Sequence, residues 1–296
     1  MFLMFSSCSI FGDFFLTVCP LLFLLSVVSL GKQLHVNSNG LRAAGAQAFG
    51  EVLKTNETLT LLDVSDNEIG GFRDGPNSTW PWKTTPEGPA ALAEGLKANS
   101  TVQQLDVSGN ELGQGGGEAF AEALKTNSTL DSIVIESKDK PATIPLKELR
   151  QNSIDALDFK GKELLAEGGI VLASALKGNS SVTKVDLSNK GLGVDGGLIL
   201  AALIKDNTSV QHLDASGNEL GPEGGKAVAE ALKTNQTLCT IVLSGKDKNI
   251  TIHADQLRQN IVDTLDYSGQ GLHVDGGTFI VAELLKSNTS VTNVSN

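Results

Sequence analysis

The chain has few of the residues that catalysis, metal binding or nucleic-acid binding require. Its 296 residues include only three cysteines, four histidines and 14 aromatic side chains (11 Phe, 2 Trp and 1 Tyr). Acidic residues (34) outnumber lysine and arginine (23), and the net charge of −11 argues against polyanionic nucleic acid as a partner. The histidines have no metal-ligand spacing, and no GxSxG, HExxH, CxxC or P-loop motif occurs. We therefore expect no catalytic residues, no metal and no cofactor, and a protein that is not an enzyme.

What the chain has instead is a unit of about 28 residues that recurs along most of its length. Its two clearest copies are residues 102–127, VQQLDVSGNELGQGGGEAFAEALKTN, and residues 210–235, VQHLDASGNELGPEGGKAVAEALKTN. In each unit an alternating run predicts a half-buried strand, and an Asn-containing turn follows it. An Ala/Leu-rich stretch then predicts a helix that starts after paired glycines and ends at a left-handed asparagine. A repeat of this kind predicts a solenoid that acts by binding along a stacked surface.

These units resemble leucine-rich repeats. Residues 59–69, LTLLDVSDNEI, fit the pattern LxxLxLxxNxL, and the pattern recurs from Val102, Val182 and Val210. The subtype that they resemble is the ribonuclease-inhibitor-like one, which also occurs in the repeat region of NOD-like receptors. The resemblance covers residues 34–296. It implies an α/β right-handed horseshoe with parallel strands on the concave face and helices on the convex face.

Two short units indicate that a block of the chain was duplicated. The predicted strand starts are Gly31, Leu59, Val102, Leu130, Ile154, Val182, Val210, Leu238, Val262 and Val291. The units from Leu130 and Leu238 have only 24 residues, and both contain KDK and LRQN, 108 positions apart (246 − 138). In each we predict an extended piece, at 143–144 and 251–252, and then a short helix ending near Asn152 and Asn260.

One unit, which begins at Leu59, is 15 residues longer than the others. The insertion lies near residues 71–86, and its prolines and glycines predict a loop. It contains both tryptophans of the chain, Trp80 and Trp82. We predict that they are exposed anchors for a partner, the alternative being that they fold back over neighbouring helices.

The strands place a column of acidic side chains at equivalent positions of successive units. Its members are Asp63, Asp106, Asp158, Asp186, Asp214 and Asp266. Neighbouring strands lie about 4.8 Å apart, so adjacent carboxylates repel, and a basic partner or a cation would relieve the repulsion. We predict that the last five of these aspartates bind a protein partner; the alternative is that the column is an ordinary solvated face.

Residues 1–31 are a hydrophobic segment distinct from the repeat domain, residues 32–296. Phe14–Leu30 carries no charged side chain and is close to the minimum length for a membrane span. Basic residues follow it (Lys32, Arg42) and none precedes it, which favours membrane association with the repeats in the cytoplasm. One alternative is a signal peptide, which would place the protein in the secretory pathway. The others are a sequence foreign to the protein or a hydrophobic extension, and the protein could then be cytoplasmic.

Asparagine recurs at two positions of the unit. Ten N-x-[ST] sequons occur, and seven of them sit at the helix C-terminus, which favours a copied structural preference over glycosylation. The asparagine that follows each strand is predicted to satisfy buried backbone groups of the turn.

The function that these observations predict is a non-catalytic protein–protein interaction module or scaffold. Its partner would bind the concave face, the insertion or both. A membrane-tethered or secreted sensor is one alternative. A fragment of a larger signalling or enzyme-regulating protein of the NOD-like receptor type is another.

Overall fold

The computed structural model describes residues 32–73, 82–135, 139–193, 195–272 and 276–295. The hydrophobic segment 1–31 and Trp80 lie outside the described residues, and the side chain of Trp82 is not described either. Among the described residues, no helix combines the length and the apolar character that crossing a membrane requires. The chain divides into two units, residues 1–147 and 148–296.

In the first unit, short strands alternate with helices. The strands are β1 Gln33–His35, β2 Leu61–Asp63, β3 Gly71–Arg73, β4 Trp82–Thr84, β5 Gln104–Asp106, β6 Ser132–Ile135 and β7 Ala142–Ile144. The helices are α1 Arg42–Thr55, α2 Glu87–Ala98, α3 Gly113–Leu124 and α4 Leu146–Gln151, the last of which crosses the boundary between the units. One sheet has the order β1-β2-β5-β6-β7 and is parallel except for β7, which runs antiparallel to β6.

The second unit repeats this alternation. Its strands are β8 Ala156–Asp158, β9 Lys184–Asp186, β10 His212–Asp214, β11 Thr240–Leu243, β12 Ile250–His253, β13 Thr264–Asp266 and β14 Asn293–Ser295. Its helices are α5 Leu165–Leu176, α6 Gly196–Asp206, α7 Gly221–Thr234, α8 Ala254–Arg258 and α9 Gly277–Leu285. The sheet β8-β9-β10-β11-β12 is parallel except for β12, and β13 pairs with β14 in a separate sheet.

The alternation of strands and helices predicted from the repeat is confirmed, with a shift of two residues. Each of the ten predicted strands begins two residues after its expected start, at position 104 instead of 102, for example. The reason is visible at Val102 and Val210, where the backbone N–H donates to the side-chain oxygen of Asn99 or Asn207 at 2.8 and 2.7 Å. These residues are buried, but their N–H groups belong to the preceding turn and not to the sheet.

The short units also fold as predicted. The extended pieces are β7 and β12, and each is followed by a short helix, α4 or α8. These helices end just before Asn152 and Asn260, which both have left-handed backbones (φ 51° and 55°). The structure adds that each extended piece turns back to pair antiparallel with the preceding strand.

Two local predictions were wrong. Gly116 and Gly117 lie inside α3, which begins three residues earlier at Gly113. The asparagine that ends a long helix is extended and not left-handed, as at Asn99 (φ −81°, ψ 140°). The extended backbone lets the chain turn directly from the helix into the next strand.

The insertion was predicted as a loop, but its two ends form the antiparallel pair β3–β4. Phe72 of β3 lies near two cationic side chains, one of them Arg42, the first residue of α1. The Arg42 guanidinium lies 4.0 Å from the centroid of the Phe72 ring, and the Lys83 ammonium lies 5.9 Å from it. Both distances are within the range of cation–π attraction.

The asparagines that follow β2, β5 and β10 satisfy buried backbone groups, as predicted. The Asn110 side-chain oxygen accepts the N–H of Asn67 at 2.8 Å, and its Nδ2 donates to the carbonyls of Val64 and Val107, both at 2.9 Å. In the second unit Asn218 occupies the same position and accepts the N–H of Lys190 at 3.0 Å. The asparagines therefore link one turn to the next.

The sequon asparagines at the helix ends have the structural role that was predicted. Nδ2 of Asn127, the atom to which a glycan would be attached, donates to the carbonyls of Leu96 and Asn99 at 2.8 and 3.0 Å. Its side-chain oxygen accepts the N–H of Leu130 at 2.9 Å. Five of these asparagines are buried: Asn99, Asn127, Asn179, Asn207 and Asn235. A glycan on any of them would displace the hydrogen bonds that join adjacent repeats.

Candidate recognition surface

Only the middle residue is buried in the three-residue strands β1, β2, β5, β8, β9, β10 and β13, and the residues on either side of it are exposed or half-buried. In β9 the middle residue, Val185, is buried, whereas Lys184 is exposed and Asp186 is half-buried. The same pattern holds in β5 and β10. Because the strands are in register, residues at equivalent positions form continuous rows across each sheet.

The strand register confirms the adjacency that was predicted for part of the acidic column. In the second unit Asp158 of β8 is paired with Asp186 of β9, which is paired with Asp214 of β10. In the first unit Asp106 is paired with Asp63. Asp266 lies on the other sheet of the second unit, where its register partner is Ser295 and not an aspartate.

These carboxylates also have a structural role that the sequence reasoning missed. The side-chain oxygen of Asp106 accepts the backbone N–H of Ser108 at 3.0 Å and its hydroxyl at 2.6 Å. The same pair of hydrogen bonds joins Asp186 to Ser188 at 2.8 and 2.6 Å. The recurring sequence Asp-x-Ser was the available signal, because an aspartate commonly accepts the N–H of the residue two positions later.

The pKa values of two aspartates in the column shift in opposite directions. Burial raises the pKa of Asp106 above its usual range, and the nearby carboxylates of Asp63 and Asp66 add to the effect against the lowering hydrogen bonds from Ser108. The pKa of Asp266 is lowered by hydrogen bonds from the hydroxyl and the N–H of Ser268. The exposed carboxylate of Asp266 therefore keeps its charge to lower pH than that of Asp106.

Imidazole groups lie beside the column in both units. Nδ1 of His35 is 3.1 Å from the Asp63 carboxylate in the first unit. In the second unit Nδ1 of His212 is 2.9 Å from the Thr240 hydroxyl. Among the described residues, no group of His, Cys, Asp or Glu side chains has an arrangement that could hold a metal ion.

The tryptophans of the insertion are placed only in part. Trp82 is the first residue of β4, opposite Arg73 in the β3–β4 pair, and Trp80 lies outside the described residues. Their role as partner anchors therefore stays a prediction.

A second feature that the sequence reasoning missed is a break in the sheet of the second unit. The extended piece at 251–252 was predicted, but its antiparallel return against β11 was not. That return places β12 at the edge of one sheet and leaves β13 to begin another. The short 24-residue period was the signal, since it leaves no room for a full helix between two strands.

Comparison with known families agrees with the repeat pattern. Three segments, residues 55–71, 98–121 and 206–229, match the model of the leucine-rich repeat. These three segments of the chain are therefore similar to leucine-rich repeats. The last two of them begin 108 residues apart (206 − 98), the same spacing as the duplicated KDK and LRQN motifs.

No curated protein sequence matches the chain. Two solved structures are similar to it at low sequence identity. One is leiomodin-1 actin-binding site 2 (14% identity, TM-score 0.25, covering 91% of this chain and 87% of that one). The other is the leucine-rich repeat-containing protein LegL7 from Legionella pneumophila (17% identity, TM-score 0.26, covering 87% and 81%). At TM-scores this low, the two likenesses say nothing about the partners of this chain.

Proposed function

We propose that the chain is a non-catalytic, ribonuclease-inhibitor-like repeat protein that recognises a basic segment of a protein partner through the acidic row of its second unit. The row consists of Asp158, Asp186 and Asp214. The 28-residue period and the order strand, Asn turn, helix support the subtype.

The observation that carries this proposal is the adjacency of three carboxylates in consecutive strands. At a strand spacing of about 4.8 Å, two unit charges repel by about 0.9 kcal/mol in bulk water and by more near a protein surface. The serine hydrogen bonds to Asp186 and Asp214 restrain these carboxylates and so oppose their rotation away from each other. A partner with lysine or arginine side chains at a matching spacing would relieve the repulsion.

The test replaces Asp158, Asp186 and Asp214 together by asparagine. Asparagine keeps the side-chain oxygen that accepts the turn N–H groups, so the substitution removes charge with little change to the backbone. A short peptide that alternates lysine and glycine serves as the probe, and its affinity is measured by calorimetry at low and at high salt. We expect the triple variant to bind it about tenfold more weakly and with a smaller salt dependence.

The matched control neutralises three carboxylates elsewhere in the same unit, Glu219, Glu223 and Glu230, all of them exposed. Both variants change the net charge by the same amount. If the two variants weaken the peptide equally, the attraction is a property of the total charge and the acidic row is not the site.

A further inference from the structure

The second unit contains two strand edges that border one groove. β12 pairs with β11 on one side only, and β13 pairs with β14 on one side only, among the described residues. Elsewhere in this unit β9, β10 and β11 each pair with strands on both sides. The antiparallel return of the short repeat thus interrupts the sheet between β12 and β13.

The groove has a volume of about 430 Å³ and takes its walls from both strands. Thr251 and His253 of β12 and Thr264 and Asp266 of β13 line it and are exposed. Its floor includes Tyr267, which is only 7% exposed. The walls are therefore polar and the floor is largely apolar, as in a strand-binding cleft.

The main chain of β13 has hydrogen-bonding groups that point toward this groove. On the side of β14, the Asp263 carbonyl accepts the N–H of Thr292 at 2.9 Å, and the Tyr267 N–H donates to the Ser295 carbonyl at 2.9 Å. Alternate residues of a strand direct their N–H and C=O groups to opposite edges. Thr264 and Asp266 therefore direct theirs to the edge that borders the groove, where the Asp266 carbonyl accepts the side-chain amide of Gln270 at 3.2 Å.

The charges that line the groove cancel. Lys248 and Asp266 are the only lining side chains with a full charge at neutral pH, one of each sign, while His253 is exposed at the wall. An occupant with no net charge would satisfy both groups, in contrast to the basic segment that suits the acidic row. An exposed strand edge with unpaired groups is the usual template for the addition of another strand.

We propose that this groove binds an extended, polar segment of a partner protein with no net charge, which adds as a strand between β12 and β13. The inference rests on the proposed function of the chain as a protein-recognition module. It differs from the acidic row in its source of affinity, because main-chain pairing is insensitive to salt whereas charge attraction is screened.

Tyr267 gives a direct reading of the groove, since it is the only tyrosine of the chain. Labelling with ¹³C-tyrosine yields one set of aromatic NMR signals, from the floor of the groove. The probe is a synthetic peptide that copies residues 181–189, SVTKVDLSN, which has one lysine and one aspartate. In the structure this sequence includes β9, which pairs with a strand on each side. Its control is the same peptide with alternate amides N-methylated, which keeps the hydrogen-bonding groups of one edge only and therefore cannot pair with β12 and β13 at the same time.

We expect the unmethylated peptide to shift the Tyr267 signals saturably and with little difference between low and high salt. The methylated peptide should bind at least about tenfold more weakly, because several main-chain hydrogen bonds are lost. A Tyr267 spectrum that neither peptide changes, or equal binding of both peptides, would overturn the proposal.

A variant separates this groove from other strand edges. Thr264→Pro removes the edge N–H and should abolish the Tyr267 shift, provided that circular dichroism shows the variant folded. If it does not fold, the comparison of the two peptides decides. The Asp158/Asp186/Asp214 triple variant should bind SVTKVDLSN as the wild type does. If this triple variant loses the lysine–glycine peptide but still binds SVTKVDLSN, the loss concerns the acidic row alone and not the groove.

Discussion

The two units carry copies of the same pair of helices, and the copies differ at the point where the helices meet. Counting 108 residues forward takes Pro89 of α2 to Gly197 of α6, and Gly116 of α3 to Gly224 of α7. In the first unit a Cβ on Gly116 would lie 3.0 Å from the Pro89 Cβ. In the second unit a Cβ on Gly197 would lie only 2.0 Å from the Gly224 Cα. The helix contact of the first unit thus accommodates a proline ring opposite a glycine, whereas the equivalent contact of the second unit accommodates only two glycines.

The largest expected effect comes from adding a methyl group where Gly197 meets Gly224. Gly197→Ala should lower the free energy of unfolding by about 3 kcal/mol, because the new methyl group meets backbone that cannot move aside. Gly116→Ala in the first unit should cost less, about 1–2 kcal/mol, since the new Cβ would lie 2.8 Å from the Leu112 Cβ and 3.0 Å from the Pro89 Cβ, a milder overlap than the one with the Gly224 backbone. Urea unfolding followed by circular dichroism measures both. Equal losses would mean that the two contacts are equivalent in solution.

The turn asparagines give a second difference between the units. In the first unit Asn67 continues the row of Asn110, because its side-chain oxygen accepts the N–H of Asn39 at 2.8 Å. In the second unit the equivalent position one repeat before Asn218 is Lys190, which is buried and whose side chain cannot accept hydrogen bonds. The row of hydrogen-bonded asparagine side chains is therefore continuous in the first unit and is interrupted at Lys190 in the second.

Asn67→Ala should destabilise the protein by about 2–3 kcal/mol, because it leaves buried N–H and C=O groups of the turn without partners. Lys190→Ala should cost about 1 kcal/mol, since it removes only the packing of the aliphatic stem. The measurement is again urea unfolding, with unchanged m-values as the condition for comparing the two. A larger loss for Lys190→Ala would show that the lysine has a structural role beyond its stem.

The opposite pKa shifts of Asp106 and Asp266 should be visible when the protein is titrated with acid. In the folded state the pKa of Asp106 is raised, mainly by burial. Ionisation of Asp106 therefore lowers the free energy of unfolding as the pH rises from about 4, the usual value in an unfolded chain, through the folded-state pKa. The pKa of Asp266 is lowered by Ser268, so its contribution to stability is present above about pH 4 and is lost as the pH falls through the folded pKa. NMR titration of the carboxyl carbons should find Asp266 titrating below Asp106.

The serine partners allow this difference to be altered. Ser268→Ala should raise the pKa of Asp266 toward its usual value, and Ser108→Ala should raise that of Asp106 further, because both remove a hydrogen bond to the charged form. Asp106 and Asp266 titrating together in the wild type would contradict the assignment of burial as the main cause at Asp106.

The repeat pattern predicted the elements because each strand and helix is specified within its own unit. Leu105 is buried between the exposed or half-buried Gln104 and Asp106, and that alternation is legible in the sequence. The groove between β12 and β13 was not predictable in the same way. It depends on which strand pairs with which, and Thr251 gives no sign that it will pair back onto Val242. The hairpin in the insertion was missed because the stacking of Arg42 on Phe72 joins residues 30 positions apart (72 − 42).

The smallest expected effect is an increase in stability. It arises at an exposed helix position where the copies in the two units differ. Gly115 of α3 corresponds to Glu223 of α7 (115 + 108), and a Cβ on Gly115 would have no atom within 4 Å. Gly115→Ala should therefore stabilise the protein by about 0.5–1 kcal/mol, because alanine restricts the unfolded chain and favours the helix. Alanine is the better test than glutamate, since Glu118 three residues later would repel a second carboxylate. The control is Gly113→Ala, which also has open space around it but has a left-handed backbone (φ +66°) and should lose about 1 kcal/mol. If both variants changed stability in the same direction, the first turn of α3 would differ in solution from its copy in α7.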